Sequence, residues 1–168
     1  MLTLDQIKQI QDKKMKFLIQ GDPISQVRHR RKTIKGKTWE FDPLAKKKEE
    51  IRYLLSKQLL SKQENKEIEE EALFLRYKDF YHVSLVFVFK VHKTDSKAIK
   101  KEKLEGSKKH TNTPDLDNLE KFLLDSMTGV LFSDDKKVVK LQSEKRWGIE
   151  ACTEIDIQGF NFTKENHV

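Results

Sequence analysis

Apolar positions in this chain change period along its length, and the changes mark its elements. Residues 15–20 (MKFLIQ) read as a short strand, ended by the turn signal Gly21-Asp22-Pro23. After a basic stretch, Trp39 and Phe41 alternate with polar neighbours, which predicts a hairpin across Gly36. From Pro43 the period becomes helical. Leu44, Ile51, Leu54, Leu55 and Leu59 share one face, and Lys46 to Glu50 fall mostly on the other. Asp42 suits the N-cap position and Pro43 the first helical residue. The run 61–71 is charged enough to read as a solvated helical extension or a loop.

Residues 81–91 (YHVSLVFVFKV) form the strongest strand pattern in the chain. Its centre is apolar on both faces, which predicts a central place in a sheet. His82 and His92 fall on one face of it but too far apart to share a metal, so both read as structural or solvent-facing. Residues 93–112 hold seven lysines, one glycine and no periodic apolar pattern, and they read as a long loop. In 115–127, Leu116, Leu119, Leu123 and Met127 make the clearest helical stripe, stopped by Thr128-Gly129. Val130-Leu131-Phe132 and the turn Ser133-Asp134-Asp135-Lys136 follow. Residues 138–147 and 149–160 read as two strands joined in a hairpin about Trp147-Gly148. The pattern predicts a single α/β (α+β) domain over 15–160, its mixed or largely antiparallel sheet packed by two main helices. A polar helix or arm at 1–14 precedes it, and a short tail at 161–168 follows.

Charge changes the picture more than composition does. The 168 residues carry 34 Lys+Arg against 27 Asp+Glu, a formal net charge of +7. That balance favours a polyanionic partner through phosphate neutralisation and counterion release. A single cysteine, Cys152, excludes an internal disulfide framework and fits a reducing compartment. It alternates onto a face with Glu150 and Glu154, which disfavours a reactive thiolate. The N-terminal residues lack the pattern of a secretory signal, and no apolar run approaches a membrane span. The expectation is a cytoplasmic protein with no membrane partner.

Hydrolysis of a phosphodiester at neutral pH needs phosphate charge neutralised, water activated and the leaving oxygen stabilised. Mg²⁺ does all three when a few carboxylates hold it and leave positions open. Such a site shows as clustered acids in an otherwise basic chain. Pro114-Asp115-Leu116-Asp117-Asn118 supplies the cluster, and Asp134-Asp135 follow the next turn. Carboxylates two residues apart diverge within a helix. They converge if Asp115 is extended and Asp117 opens the helix, with Pro114 holding the preceding chain off a helical path. Asp117 and Glu120 fit an acidic capping box. Lys121 lies one turn beyond Asp117, placed to reach a phosphate or a leaving oxygen. Each motif alone has a plainer reading, as a cap, a turn or a solvated lysine; the combination carries the function.

The run PDLDNLEKFLLDSMTGVLFSDDKKVV resembles the core signature of RusA-type Holliday-junction resolvases, a D-x-D-N-L-x-x-K helix followed by a G-V-rich turn and D-D. Gly21-Asp22-Pro23 with Arg28 and Arg30 is similar to the family's opening G-x-P and R-x-R. Residues 138–141 leading to Lys145-Arg146-Trp147 resemble the strand after the acidic pair. The N-terminal arm and the lysine-rich 93–112 stretch depart from the pattern. The resemblance implies an endodeoxyribonuclease that resolves four-way junctions by paired nicks. It implies Mg²⁺, with Mn²⁺ as a substitute, held by Asp115, Asp117 and Asp135, with Asp134 as an extra ligand. Lys121 would be the catalytic lysine, and the family's homodimeric assembly and branched-DNA substrate come with it. Asp125 reads as helix surface or interface. Arg28, Arg30, Arg31 and Lys145 become phosphate contacts, and the 93–112 lysines an electrostatic arm. The rival readings are a less selective metal-dependent nuclease and a non-catalytic basic DNA-binding module.

Overall fold

The computed structural model describes residues 14–63, 75 and 77–161. Its elements run β1 (Met15–Gln20), β2 (Arg30–Ile34), β3 (Lys37–Phe41), α1 (Ala45–Gln63), β4 (Phe80–Lys90), α2 (Lys97–Leu104), α3 (Leu116–Met127), β5 (Val138–Gly148) and β6 (Cys152–Phe160). The expected N-terminal arm lies outside the described residues except for Lys14, as do most of 61–71 and all of the tail beyond Asn161.

Four strands make one mixed sheet in the order β1-β6-β4-β5, and β2 and β3 pair separately. β6 is antiparallel to β1 and β4, whereas β5 runs parallel to β4. A parallel neighbour needs a crossover, which α2 and α3 provide. The hairpin expected about Trp147-Gly148 does not form, because β4 lies between β5 and β6. Residues 149–151 step over the end of β4, where Lys90 Nζ grips the Glu150 carboxylate at 2.7 and 2.9 Å. Glycine is needed at that crossing, since a Cβ on Gly148 would collide with Val88 Cγ1. Period-two alternation tells which side chains face the core, not which strand adjoins which.

One face of the sheet carries the core. Phe17 and Ile19, Tyr81, Val83, Leu85 and Phe87, and Ile155 and Ile157 meet Ile51 and Leu55 of α1 and Leu119, Phe122, Leu123 and Met127 of α3. The Tyr81 hydroxyl donates to the Leu75 carbonyl at 2.6 Å, and burial pushes its pKa up to about 12. On the opposite face His82, Ser84 and Val86 stay half-buried and Val88 is buried, so the second face of β4 is covered only in part. His82 packs on Phe160 with ring centroids 4.5 Å apart. Gln58 of α1 serves the edge strand β1 as a neighbour, taking the Leu18 amide at 3.0 Å and donating to its carbonyl at 2.7 Å.

In α1, Leu54 is exposed and Lys48 takes a place on the core stripe, three residues before Ile51 and seven before Leu55. Its ammonium bridges Asp42 and Asp125, each at 2.8 Å. Burial alone would lower the Lys48 pKa, but the two carboxylates outweigh it and hold it above its ordinary value. Asp42 is held below the usual carboxylate range by that lysine, while its Oδ1 also accepts the Leu44 amide at 2.8 Å.

The expected loop at 93–112 contains α2. Ser96 caps it, accepting the Ile99 amide at 3.3 Å. Lys103 is buried, bonds Asp95 at 2.6 Å, and lies 4.0 Å from the centre of the Trp147 ring. A lysine stem serves here as the apolar anchor, which a search for apolar side chains passes over. Among the described residues α2 thus joins the two main helices, α1 and α3.

Candidate active site and nucleic-acid interface

Helix α3 begins with the acidic motif. Asp115 is its N-cap, extended at φ −69° and ψ 146°, and its carboxylate makes no capping bond. Asp117 lies in the first turn, where the helix dipole favours an anion. Asn118 Nδ2 is 3.4 Å from Asp117 Oδ1. The extended Asp115 agrees with expectation, but the capping box on Asp117 does not form. Glu120 instead accepts a hydrogen bond from the Ser143 hydroxyl on β5. Lys121 is exposed one turn beyond Asp117, and among the described residues it makes no ion pair.

The segment leading into this turn is fixed by the sheet. Lys145 of β5 donates to the carbonyls of Asn112 at 2.7 Å and Pro114 at 2.9 Å, on either side of the cis Thr113–Pro114 bond. His110 stacks between Phe89 and Trp147, with ring centroids 4.1 and 4.4 Å away. Burial pushes the His110 pKa down, and the nearby Lys145, Lys103 and His92 add to that. On the other side, the Gln26 amide donates to the Asn118 carbonyl at 2.8 Å. This roots the chain carrying Arg28, Arg30 and Arg31 beside the acidic turn.

Asp134 and Asp135 sit at the opposite end of α3. Asp134 accepts the Lys136 amide and pairs with the Lys136 ammonium, both at 3.0 Å, and these hold its pKa below the usual range, the amide most. The acidic turn at Asp115 is bonded to Lys145, whereas Asp135 precedes Val138. Those two β5 positions lie opposite Phe87 and Tyr81 of β4, so they are about 20 Å apart along the strand. The helix between the two acidic groups spans about 18 Å. Among the described residues, no three His, Cys, Asp or Glu side chains come together to hold a metal ion. The single chain thus unites Asp115, Asp117 and Lys121 in the first turns of α3 and leaves Asp134 and Asp135 apart.

Arg28, Arg30 and Arg31 are all exposed. The β2–β3 hairpin turns at Lys35 and Gly36, with φ of 50° and 74°, the positive values a tight hairpin requires. Arg31 and His29 lie 3.8 and 3.9 Å from the Glu40 carboxylate. Cys152 is half-buried, and burial followed by the charge of Glu154 raises its pKa. Sequence reasoning missed Lys48 with its two aspartates, and Lys103, His110 and Trp147 beneath α2. The i, i+3, i+7 spacing of Lys48, Ile51 and Leu55 was the available signal for the first. None existed for the second, whose lysine and histidine meet a tryptophan from a distant strand.

A family model described as Endodeoxyribonuclease RusA matches residues 20–158, which include every element from β2 to β5 and all the residues just described. No curated protein matches the chain significantly.

Proposed function

Because the chain belongs to the RusA family of endodeoxyribonucleases, we propose that it resolves four-way DNA junctions by paired, Mg²⁺-dependent nicks, one from each subunit of a homodimer. As a member of that family it is a divalent-metal-dependent hydrolase of DNA phosphodiester bonds whose substrate is branched DNA. The observation that carries the finer reading is the first turn of α3. Asp115 is positioned as an N-cap yet leaves its carboxylate out of capping, so that its oxygens are available as ligands.

Two hard oxygen donors with open positions suit Mg²⁺, which is commonly bound by one or two carboxylates plus substrate phosphate. Asp115 and Asp117 would hold it, and Mn²⁺ would substitute. Bound there, a divalent ion supplies charge neutralisation at the phosphate and an activated water. Lys121, one turn along, neutralises charge developing on the phosphate or on the leaving 3′ oxygen. Asp135, with Asp134 beside it, can serve that centre only if a second copy of the chain brings it there, which a homodimer does. Arg28, Arg30 and Arg31 hold the flanking phosphates from the hairpin side. No helix of the described residues is long and apolar enough to cross a membrane.

The test is cleavage of a labelled four-way junction beside a linear duplex of matching sequence, in Mg²⁺ and in EDTA, with wild type and Asp117→Asn. Paired nicks confined to the junction, and lost with EDTA or the substitution, are expected. Equal cutting of the duplex would make the protein a less selective nuclease. Tight binding without cutting would return the acids to helix capping.

A further inference from the structure

The β2–β3 hairpin has two unlike faces. Its register pairs Arg30 with Phe41, Lys32 with Trp39 and Ile34 with Lys37 on one face, and Arg31 with Glu40 and Thr33 with Thr38 on the other. The second face satisfies itself, through the Arg31–Glu40 ion pair and a 3.1 Å bond between the two threonine hydroxyls. The first has three cations, no acid, and three large apolar side chains in the open: Trp39 is 60%, Ile34 49% and Phe41 46% exposed. Every residue of both strands is exposed. A two-stranded ribbon of this kind is marginal by itself, and surface burial gives it no reason to carry a tryptophan.

We propose that this face is a stacking platform for unstacked bases at the branch point of a DNA junction. Trp39 carries the stack, and Arg30, Lys32 and Lys37 hold the flanking phosphates. The inference rests on the resolvase reading above and adds a recognition surface to it. Three features favour nucleic acid over a protein partner. An apolar protein surface would desolvate three cations that have no ion pair among the described residues, whereas a polyanion neutralises them. Aromatic rings interleaved with cations match a single strand's alternation of bases and phosphates. The hairpin's first strand begins four residues after Gln26, whose amide is bonded to Asn118 in the acidic turn, so the platform is tethered close to the proposed point of cutting. A fully stacked duplex offers Trp39 no open base face, so the platform distinguishes a branch from a linear arm.

The chain has two tryptophans, and the other, Trp147, is buried at 9% exposure. Its emission in Trp39→Ala reports whether the body remains folded. Full-length wild type, Trp39→Ala, Trp39→Phe and the triple Arg30→Gln/Lys32→Gln/Lys37→Gln variant are titrated in EDTA with two DNAs. One is a four-way junction carrying 2-aminopurine at the branch point, and the other is a linear duplex of the same sequence. Trp39→Ala should weaken junction binding about tenfold, leave duplex binding within about twofold, and keep the salt dependence of binding unchanged. Trp39→Phe should retain most of the affinity, and the 2-aminopurine signal change seen with wild type should vanish in Trp39→Ala. The triple variant should flatten the salt dependence for both DNAs.

Junction and duplex affinities that fall together, or a junction affinity and 2-aminopurine response indifferent to Trp39, overturn the platform while leaving the resolvase reading intact. A wild type that does not prefer the junction overturns both. Dissociation of a dimer by Trp39→Ala in DNA-free sedimentation would make the face a contact between copies of the chain, and would also overturn the proposal.

Discussion

The two ends of α3 carry aspartates with opposite fates. Asp125, near the C-terminal end, is tied to Lys48 at 2.8 Å, and its carbonyl accepts from Arg52 at 3.0 Å, so it locks α3 to α1. Asp115 and Asp117, at the other end, have no ion pair among the described residues and face outward beside exposed Lys121. The structural acid is neutralised within the fold. The pair proposed to hold the metal is exposed and left open to a ligand from outside. Partnering, more than residue type or spacing, separates the two roles.

Neutralising an acid at each end of α3 separates the two roles most clearly. Asp117→Asn should cut junction nicking at saturating Mg²⁺ by about a hundredfold or more without lowering the melting temperature. Asp125→Asn should do the reverse, melting earlier while nicking at nearly the wild-type rate at low temperature. Equal loss of nicking in both, with stability unchanged, would erase the distinction. Next in size, Lys48→Met strands Asp42 and Asp125 together. A denaturant series should show about 2 kcal/mol less stability, short of the full cost of an uncompensated buried charge because Asp125 keeps contact with water.

Lys145→Met removes the two bonds that hold the chain entering α3. Nicking should need about tenfold more Mg²⁺ for half-maximal rate, as when a group orienting a ligand is lost. The salt dependence of DNA binding should stay the same. A flattened salt dependence would mark Lys145 as a phosphate contact instead.

The smallest effect concerns pH. His110 faces Phe89 from β4, Trp147 and Lys145 from β5, Lys103 from α2, and His92. Its folded pKa lies below the ordinary 6.5, so its contribution to stability is complete above that value. The contribution is lost as pH falls through 6.5 toward the folded pKa, because the unfolded chain takes up the proton first. Melting temperatures should therefore drop less between pH 7.5 and 5.5 for His110→Phe than for wild type. Parallel curves would show that His110 is not strained by protonation.

Several elements were legible because local signals and tertiary outcome coincide. Gly36 turns the β2–β3 hairpin, Asp42 accepts the Leu44 amide in the turn that precedes α1, and the Leu119–Leu123–Met127 stripe of α3 lies buried as its spacing requires. The acidic motif was legible too, since Asp115 to Lys121 are neighbours in one short segment. Where the expectation failed, the deciding partner was remote. Nothing in 93–112 announces α2, because its anchor is a lysine stem against Trp147, more than forty residues later. Nothing in 149–160 states that β6 pairs with β1 and β4 in place of β5.

The periodicities, the turn glycines, the basic balance and the order of the acids and lysine that mark the family are all written in the amino-acid order. Those are properties of short stretches, where backbone geometry and side-chain chemistry act within a few residues. Only the folded chain shows which strand lies beside which, which aspartate is neutralised and which is left open. It also shows that the Asp115 and Asp135 groups stand at opposite ends of one helix. Each of these turns on which distant segments meet, and pairing between them is chosen by the burial of the whole sheet.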